Sequence, residues 1–133
     1  MQAAILRVKL KYVDDDNRKR NKIAERYLDG LRGLPLELPI KRDGCDHVYH
    51  LFVIKTNDRE ALQDFLGENG VRTSIQYPVP IHEQVYYMSL GRNRSLPVTE
   101  KLAKEIVSLP MYAELSLGEV KTVINSVKSF YDG

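Results

Sequence analysis

The sequence predicts an α+β domain in which helices surround a small sheet. Two segments have the apolar patterns of strands, and apolar residues recur at helical spacing before, between and after them. With 133 residues, the chain has the length of one domain and can bury roughly two thirds of its unfolded surface around a single core. The predicted order is helix, helix, strand, helix, strand, loop, helix, helix.

The first third of the chain is predicted to be helical. One apolar face at helical spacing consists of Ile5, Leu6, Leu10 and Val13, and a second consists of Ile23, Ala24, Tyr27, Leu28 and Leu31. Asp14 to Asp16 lie between the faces and are suited to the start of a second helix, because carboxylates are stabilised near the positive end of the helix dipole. The pattern leaves open whether the helix is continuous there.

A connector and a central strand are predicted next. The prolines of the segment from Leu34 to Pro39 are too close together for a helix or a central strand, and Arg42 to Gly44 have the composition of a turn. Val48 to Ile54, within the longer segment from His47 to Thr56, is apolar on both faces. That pattern is typical of a strand that is covered on both sides.

A helix is predicted to join this strand to a second one. Asn57 and Glu60 have the spacing of a capping box, and Gly70 supplies the C-terminal stop. The predicted buried face of this helix is Ala61, Leu62, Phe65 and Leu66. Alternation from Val71 to Tyr77 predicts a half-buried strand, which Pro78 and Pro80 end because proline cannot donate a ladder hydrogen bond.

Two helices are predicted after an exposed loop at Gly91 to Arg94. Ser95 is the predicted cap of the first helix and Pro97 its first residue, with a face of Val98, Leu102 and Ile106, and a short strand at Val107 to Leu109 can follow. Ser116 and Glu119 form a second capping box. The last helix then has an apolar face of Val120, Val123, Ile124, Val127 and Phe130 or Tyr131.

Composition argues against several classes of protein. Lys+Arg 20 against Asp+Glu 18 gives a net charge of +2, which is too small to indicate a nucleic-acid partner, and the basic stretch from Asn17 to Lys22 is interpreted as a solvated helix face. A single cysteine, Cys45, argues against internal disulfides and for the cytoplasm. No apolar run approaches the roughly 20 residues that span a bilayer. The sequence shows no glycine-rich phosphate loop and no cluster with metal-ligand spacing, since His47 and His50 point to opposite faces of an extended strand.

The candidate site is the loop that follows the second predicted strand. Tyr77 is held extended by Pro78, and His82 lies in the loop, where polar residues on a rigid scaffold often carry function. Tyr86 and His50 are further candidates, and Arg92 and Arg94 have the chemistry to bind phosphate. The alternatives are a solvated His82, a Tyr77 that closes the core, a strand histidine at position 50 and loop arginines that serve solubility alone.

The loop and its flanks resemble a known family. The segment from Tyr77 to His82, together with the segments His47 to Thr56 and Ser95 to Met111, resembles the C-terminal part of the DegT/DnrJ/EryC1/StrS aminotransferases. These are pyridoxal-phosphate (PLP) enzymes that aminate keto sugars on nucleotides, and the resemblance covers nearly the whole chain. It implies a mostly antiparallel small sheet flanked by helices, as in the C-terminal domain of fold-type I aminotransferases. Gln76 stands where many members have histidine, so a direct chemical role is not expected at that position.

The resemblance also implies that the cofactor and the substrate side of the cleft belong to different domains. In the family, PLP is bound to a lysine of a large N-terminal domain that this chain does not match, so we expect PLP in the complete enzyme and no PLP on this chain alone. We expect residues 1–33 to link to that domain and residues 34–133 to form the small domain, which closes the substrate side of the cleft. Tyr77, His82, Tyr86 and His50 would contact a nucleotide sugar, and an amino acid such as glutamate would donate the amine.

Assembly and two rival functions complete the expectations. Exposure of Ile5, Leu6 and Leu10 would favour self-association or a homodimer. The first rival is a stand-alone module that binds nucleotide sugars or a partner without catalysis. The second is a small nucleic-acid-binding domain, whose binding would weaken steeply with salt.

Overall fold

A computed structural model describes residues 1–91 and 94–133. Its helices are α1 Gln2–Lys9, α2 Val13–Gly30, α3 Arg59–Glu68, α4 Val85–Ser89, α5 Pro97–Glu105 and α6 Leu117–Asp132, and its strands are β1 Phe52–Lys55 and β2 Ile106–Leu109. A 3-10 turn at Leu10–Tyr12 joins α1 to α2, so the helical structure predicted for the start of the chain is present from Gln2 to Gly30. Asp14 to Asp16 occupy the first turn of α2.

The sheet has two antiparallel strands at its centre. β1 pairs with β2 in a register that runs from Phe52 opposite Leu109 to Lys55 opposite Ile106. Isolated antiparallel bridges add one residue pair on each side, Glu37 with Lys55 and Ser74 with Ser108. The expected α+β class with a small, mostly antiparallel sheet is therefore confirmed.

Of the two strands predicted on either side of α3, the first is shorter than expected and the second is absent. β1 begins only at Phe52, because Tyr49 has a φ of 47°, which lies in the left-handed region and cannot continue an extended strand. The prediction of a strand from Val71 to Tyr77 is wrong, since only Ser74 pairs there. Val71 instead donates its backbone N–H to the Leu66 carbonyl at the end of α3. The short strand predicted after α5 is present as β2.

The core lies between the sheet and three helices, α2, α3 and α6. Its fully buried side chains are Tyr27, Leu31, Phe52, Ile54, Leu62, Leu66, Val107, Val120 and Val127. The rings of Tyr27 and Phe52 lie 5.0 Å apart and join α2 to the sheet. The predicted inner faces of α2 and α6 are confirmed by this packing.

Two helix starts differ from their predictions. α3 has Asp58 at its N-cap with no side-chain cap bond, so the capping box at Asn57 is wrong, and Ala61 is exposed. α5 begins at Pro97 as predicted, but Leu96 rather than Ser95 is its N-cap. Val98 is 71% exposed, which removes it from the expected buried face.

Two other helix ends behave as the sequence predicts. Gly70 has a φ of 75° and ends the helical segment, a conformation that glycine adopts at little cost. At α6 both bonds of the capping box are present: the Glu119 N–H donates to Ser116 Oγ at 3.3 Å, and the Ser116 N–H donates to Glu119 Oε2 at 2.7 Å.

Large apolar side chains are exposed in two regions. The first region is α1 and the turn after it, with Ile5, Leu6, Val8, Leu10 and Tyr12. The second is the segment from Tyr77 to Leu90, which contains a 3-10 turn at Ile81–Glu83 and the short helix α4, neither of which was predicted. Among the described residues, no helix combines the length and apolar character that crossing a bilayer requires.

Candidate functional site

His82 lies at the centre of the candidate site. The 3-10 turn Ile81–Glu83 follows Pro80, whose extended ψ of 148° leads the chain into the turn. His82 Nε2 lies 3.1 Å from Glu100 Oε1 in the first turns of α5, and the histidine side chain is only 14% exposed. The loop histidine is therefore held against a helix and is not freely solvated.

Glu100 is fixed from two sides. Its carboxylate oxygen Oε1 accepts the Leu96 backbone N–H at 2.6 Å, while its own backbone N–H donates to the Leu96 carbonyl at 2.9 Å. The Leu96 N–H and then the His82 side chain lower the pKa of the Glu100 carboxyl from its ordinary value. Because an ionised carboxylate can only accept hydrogen bonds, His82 Nε2 is the donor in this pair. Nδ1 of the neutral imidazole then remains an acceptor.

A cleft opens beside the histidine. Its volume is about 880 Å³, and its lining includes Ile81, His82, Tyr87, Arg94 and Leu96. Pockets of roughly 300–1,000 Å³ are the usual size for small-molecule ligands. Among the described residues, the cleft thus combines apolar side chains with one imidazole and one guanidinium group.

The other predicted site residues lie outside this lining. Tyr77 is 77% exposed and follows a cis peptide bond after Gln76, and Tyr86 is 69% exposed with its ring 5.7 Å from that of Tyr87. His50 is exposed immediately before β1. Of the four predicted residues, His82 alone lines the cleft within the part of the chain that the structure describes. Tyr77 does not close the core, so that alternative is wrong, and Arg92 falls outside the described residues.

Gln76 is engaged with its neighbours. Its amide oxygen accepts the hydroxyl of Ser108, a residue that is 3% exposed, at 2.6 Å, and its amide nitrogen donates to Ser74 Oγ at 2.9 Å. The amide oxygen therefore attaches the end of this segment to β2, and the amide nitrogen bonds within the segment itself. The absence of a direct chemical role for Gln76 stays a prediction.

Sequence reasoning missed Glu100 and Glu83. One signal was available for Glu100, because a carboxylate in the first turns of a helix that starts with proline is placed to accept a free backbone N–H. Its contact with His82 depends on the tertiary fold.

The lining of the cleft, as far as the described residues go, includes no lysine to form a Schiff base with PLP, so these side chains do not fit the covalent anchor of that cofactor.

Comparison with known proteins assigns the family. The model of the DegT/DnrJ/EryC1/StrS aminotransferase family matches residues 1–128. The chain is 42% identical to the dTDP-3-amino-3,6-dideoxy-alpha-D-galactopyranose transaminase of Aneurinibacillus thermoaerophilus over 98% of its own length and 36% of that enzyme. It thus spans about a third of the curated relatives that it matches.

Solved structures give the same result. All of this chain superimposes on 36% of Streptomyces venezuelae DesV, which was crystallised in complex with a ketimine intermediate, with a TM-score of 0.94 and 36% identity. NtdA from Bacillus subtilis, solved with bound cofactor PMP, matches with a TM-score of 0.83 and 32% identity over 92% of this chain and 30% of its own. The chain belongs to the DegT/DnrJ/EryC1/StrS aminotransferase family.

Proposed function

We propose that this chain forms the C-terminal part of a PLP-dependent aminotransferase that acts on nucleotide-linked keto sugars. The observation that carries the proposal is the similarity of the whole chain, at 36–42% identity, to DesV and to a transaminase named for a dTDP-amino sugar. The amine would come from an amino acid such as glutamate. The chain would close the substrate side of the cleft and help to select the sugar.

PLP would be bound by the rest of the enzyme. Removal of a proton next to an amine needs an electron sink, which the cofactor ring supplies when it is bound. None of the candidate residues in this chain is a lysine. We therefore expect the chain alone to bind no PLP and to be inactive.

Substrate contacts are assigned to the four candidate residues. His82 Nδ1 would accept a hydrogen bond from a sugar hydroxyl, since the Glu100 carboxylate holds the proton on Nε2. Tyr77 and Tyr86 would offer exposed rings and hydroxyls to the substrate side, and His50 would contribute from the start of β1. Arg94, which lines the cleft, has the chemistry to pair with a phosphate of the nucleotide.

We propose a division of the chain into a linking segment and a small domain. In the proposed enzyme residues 1–33 connect to the PLP-binding part and residues 34–133 form the small domain. Within the connecting segment α2 is already part of the core, since Ala24, Tyr27 and Leu31 are fully buried. The linking role would therefore fall mainly on α1, whose apolar side chains are exposed.

A chimaera tests the function directly. This chain would replace the matching 36% of the S. venezuelae enzyme, and PLP absorbance and amination of a dTDP-keto sugar would be measured. We expect retained PLP and turnover, a loss of activity in His82→Ala, and little change in the matched control His47→Asn. A chimaera that fails to retain PLP, or that retains it without turnover, would contradict the proposal.

A stand-alone binding module is the alternative, because the cleft beside His82 is lined by this chain itself. It predicts saturable binding of a nucleotide sugar to the purified chain without PLP, measured by calorimetry. We also propose self-association through the apolar side of α1 and the turn after it, where Ile5, Leu6 and Leu10 are 54%, 64% and 71% exposed. A strictly monomeric mass at high concentration in sedimentation equilibrium would count against it.

A further inference from the structure

Three side chains with metal-binding atoms converge next to the cleft. His82 and Glu83 come from the 3-10 turn and Glu100 comes from α5, and one ligand atom of each lies within 4.8 Å of the others. The sequence did not suggest this group, because Glu100 belongs to a separate element, α5. The fold brings one imidazole and two carboxylates to one point.

The distances suit a small divalent ion. Zinc forms bonds of about 2.0–2.2 Å to nitrogen and oxygen ligands, so neighbouring ligands of a tetrahedral site lie about 3.3 Å apart. His82 Nε2 and Glu100 Oε1 are already 3.1 Å apart. Glu83 is exposed, so its side chain has room to rotate until its carboxylate reaches the ion.

The surroundings favour ion binding over simple solvation. The side chains of His82 and Glu100 are only 14% and 27% exposed, so part of the cost of removing them from water has already been met in folding. The Leu96 N–H fixes the position of the Glu100 carboxylate at 2.6 Å. The carboxylates of Glu83 and Glu100 lie next to the His82 ring nitrogen, and their negative charges favour a cation there.

We propose that His82, Glu83 and Glu100 form a binding site for a divalent transition-metal ion, with zinc as the preferred ion. Imidazole and carboxylate donors suit zinc, and three protein ligands leave a fourth position for water. The ion would replace the proton between His82 and Glu100 and would tie the 3-10 turn to α5. This inference does not rest on the proposed function, because it concerns this chain without PLP or substrate.

The positive charge of Arg94 allows a test of the proposed metal site. It lines the same recess as the three ligands, and it is exposed. A guanidinium close to a bound cation weakens its binding through repulsion, which solvent reduces without removing. Arg94→Gln is therefore expected to tighten metal binding. Weaker metal binding in this variant would count against the proposed site.

The experiment titrates the purified 133-residue chain with Co²⁺ and Zn²⁺. Cobalt reports tetrahedral coordination through its visible absorption, and calorimetry with zinc gives the affinity and stoichiometry. We expect one ion per chain, tetrahedral cobalt bands that zinc abolishes, and affinity about tenfold or more weaker in Glu83→Gln. Glu83 is exposed and its replacement leaves the His82–Glu100 pair in place, so this variant is expected to fold.

Two control variants separate this site from general surface binding. Glu68→Gln removes an exposed carboxylate outside the cluster, and His47→Asn removes another histidine. Both are expected to bind as the unchanged chain does. The proposal is overturned if tetrahedral bands do not appear, if Glu83→Gln binds zinc with unchanged affinity, or if His47→Asn abolishes binding.

Discussion

Replacement of Gly30 by alanine tests the packing of α2 on α6. A Cβ built on Gly30 would lie 2.8 Å from Cδ1 and 2.9 Å from Cγ2 of Ile124. Both distances are shorter than real contacts, and Cγ2 cannot move away without a change of the whole side chain. Overpacking of this kind costs typically about 1–3 kcal/mol, whereas the gain in helix propensity from glycine to alanine is at most about 1 kcal/mol and smaller at a helix end.

The net expectation is a loss of about 1–2 kcal/mol in the free energy of unfolding. Urea denaturation followed by circular dichroism measures it, with Gly67→Ala in α3 as the control. A Cβ at Gly67 meets nothing within 4 Å, so this variant keeps the propensity gain and is expected to be unchanged or more stable. Ile124→Ala removes the atoms that clash, and in that background Gly30→Ala should no longer destabilise. A stabilising Gly30→Ala, or an equal loss in both backgrounds, would refute the reasoning.

Three further changes have expected outcomes. Ser116→Ala removes the cap of α6 and should cost about 1 kcal/mol in urea unfolding, while Ser129→Ala, exposed on the same helix, should change stability by less than about 0.5 kcal/mol. Glu100→Gln should lower the thermal midpoint at neutral pH. The folded-state pKa of this carboxyl lies below its ordinary value because of the Leu96 N–H and the His82 side chain, so its contribution is present above that ordinary value and lost as the pH falls through the folded pKa. Equal differences at low and neutral pH would contradict this. Tyr27→Phe removes the hydroxyl that donates to the Pro110 carbonyl at 2.9 Å and should cost about 1 kcal/mol by chemical denaturation, and no loss would mean that water satisfies the carbonyl.

Helices with local signals could be predicted from the sequence. The capping box of α6 and its apolar spacing lie within one stretch of chain, and the structure has both. The same holds for α2, whose predicted face contains the fully buried Ala24, Tyr27 and Leu31. These features depend on helical periodicity and on backbone N–H groups that a nearby side chain satisfies, so no distant contact is needed to specify them.

Strand limits could not be predicted in the same way, because a strand needs a partner. The alternation from Val71 to Tyr77 is that of a half-buried strand, yet its backbone pairs with the sheet only at Ser74. Beyond that bridge, the Gln76 side chain bonds to Ser108. The periodicity correctly places Val71 inward but fails at Tyr77, which is exposed. It also does not specify whether backbone or side-chain hydrogen bonds make the connection to the sheet.

The chemistry of the candidate site also could be predicted only in part, because it depends on a contact between residues far apart in the sequence. Position in a loop was enough to select His82, but the sequence did not show that Glu100 fixes its Nε2 proton. That contact changes what the histidine can do: an imidazole whose Nε2–H donates to a carboxylate presents Nδ1 as an acceptor, while a solvated one can present either nitrogen in either role. Glu100→Gln tests this step in the chimaera, because an amide oxygen can still accept the proton from Nε2 but no longer carries the charge that stabilises it. If the bond to the carboxylate holds His82 in the orientation that meets the substrate, the variant should weaken substrate binding but retain it better than His82→Ala does. If Glu100 acts only as a helix cap, substrate binding should stay unchanged while the thermal midpoint falls.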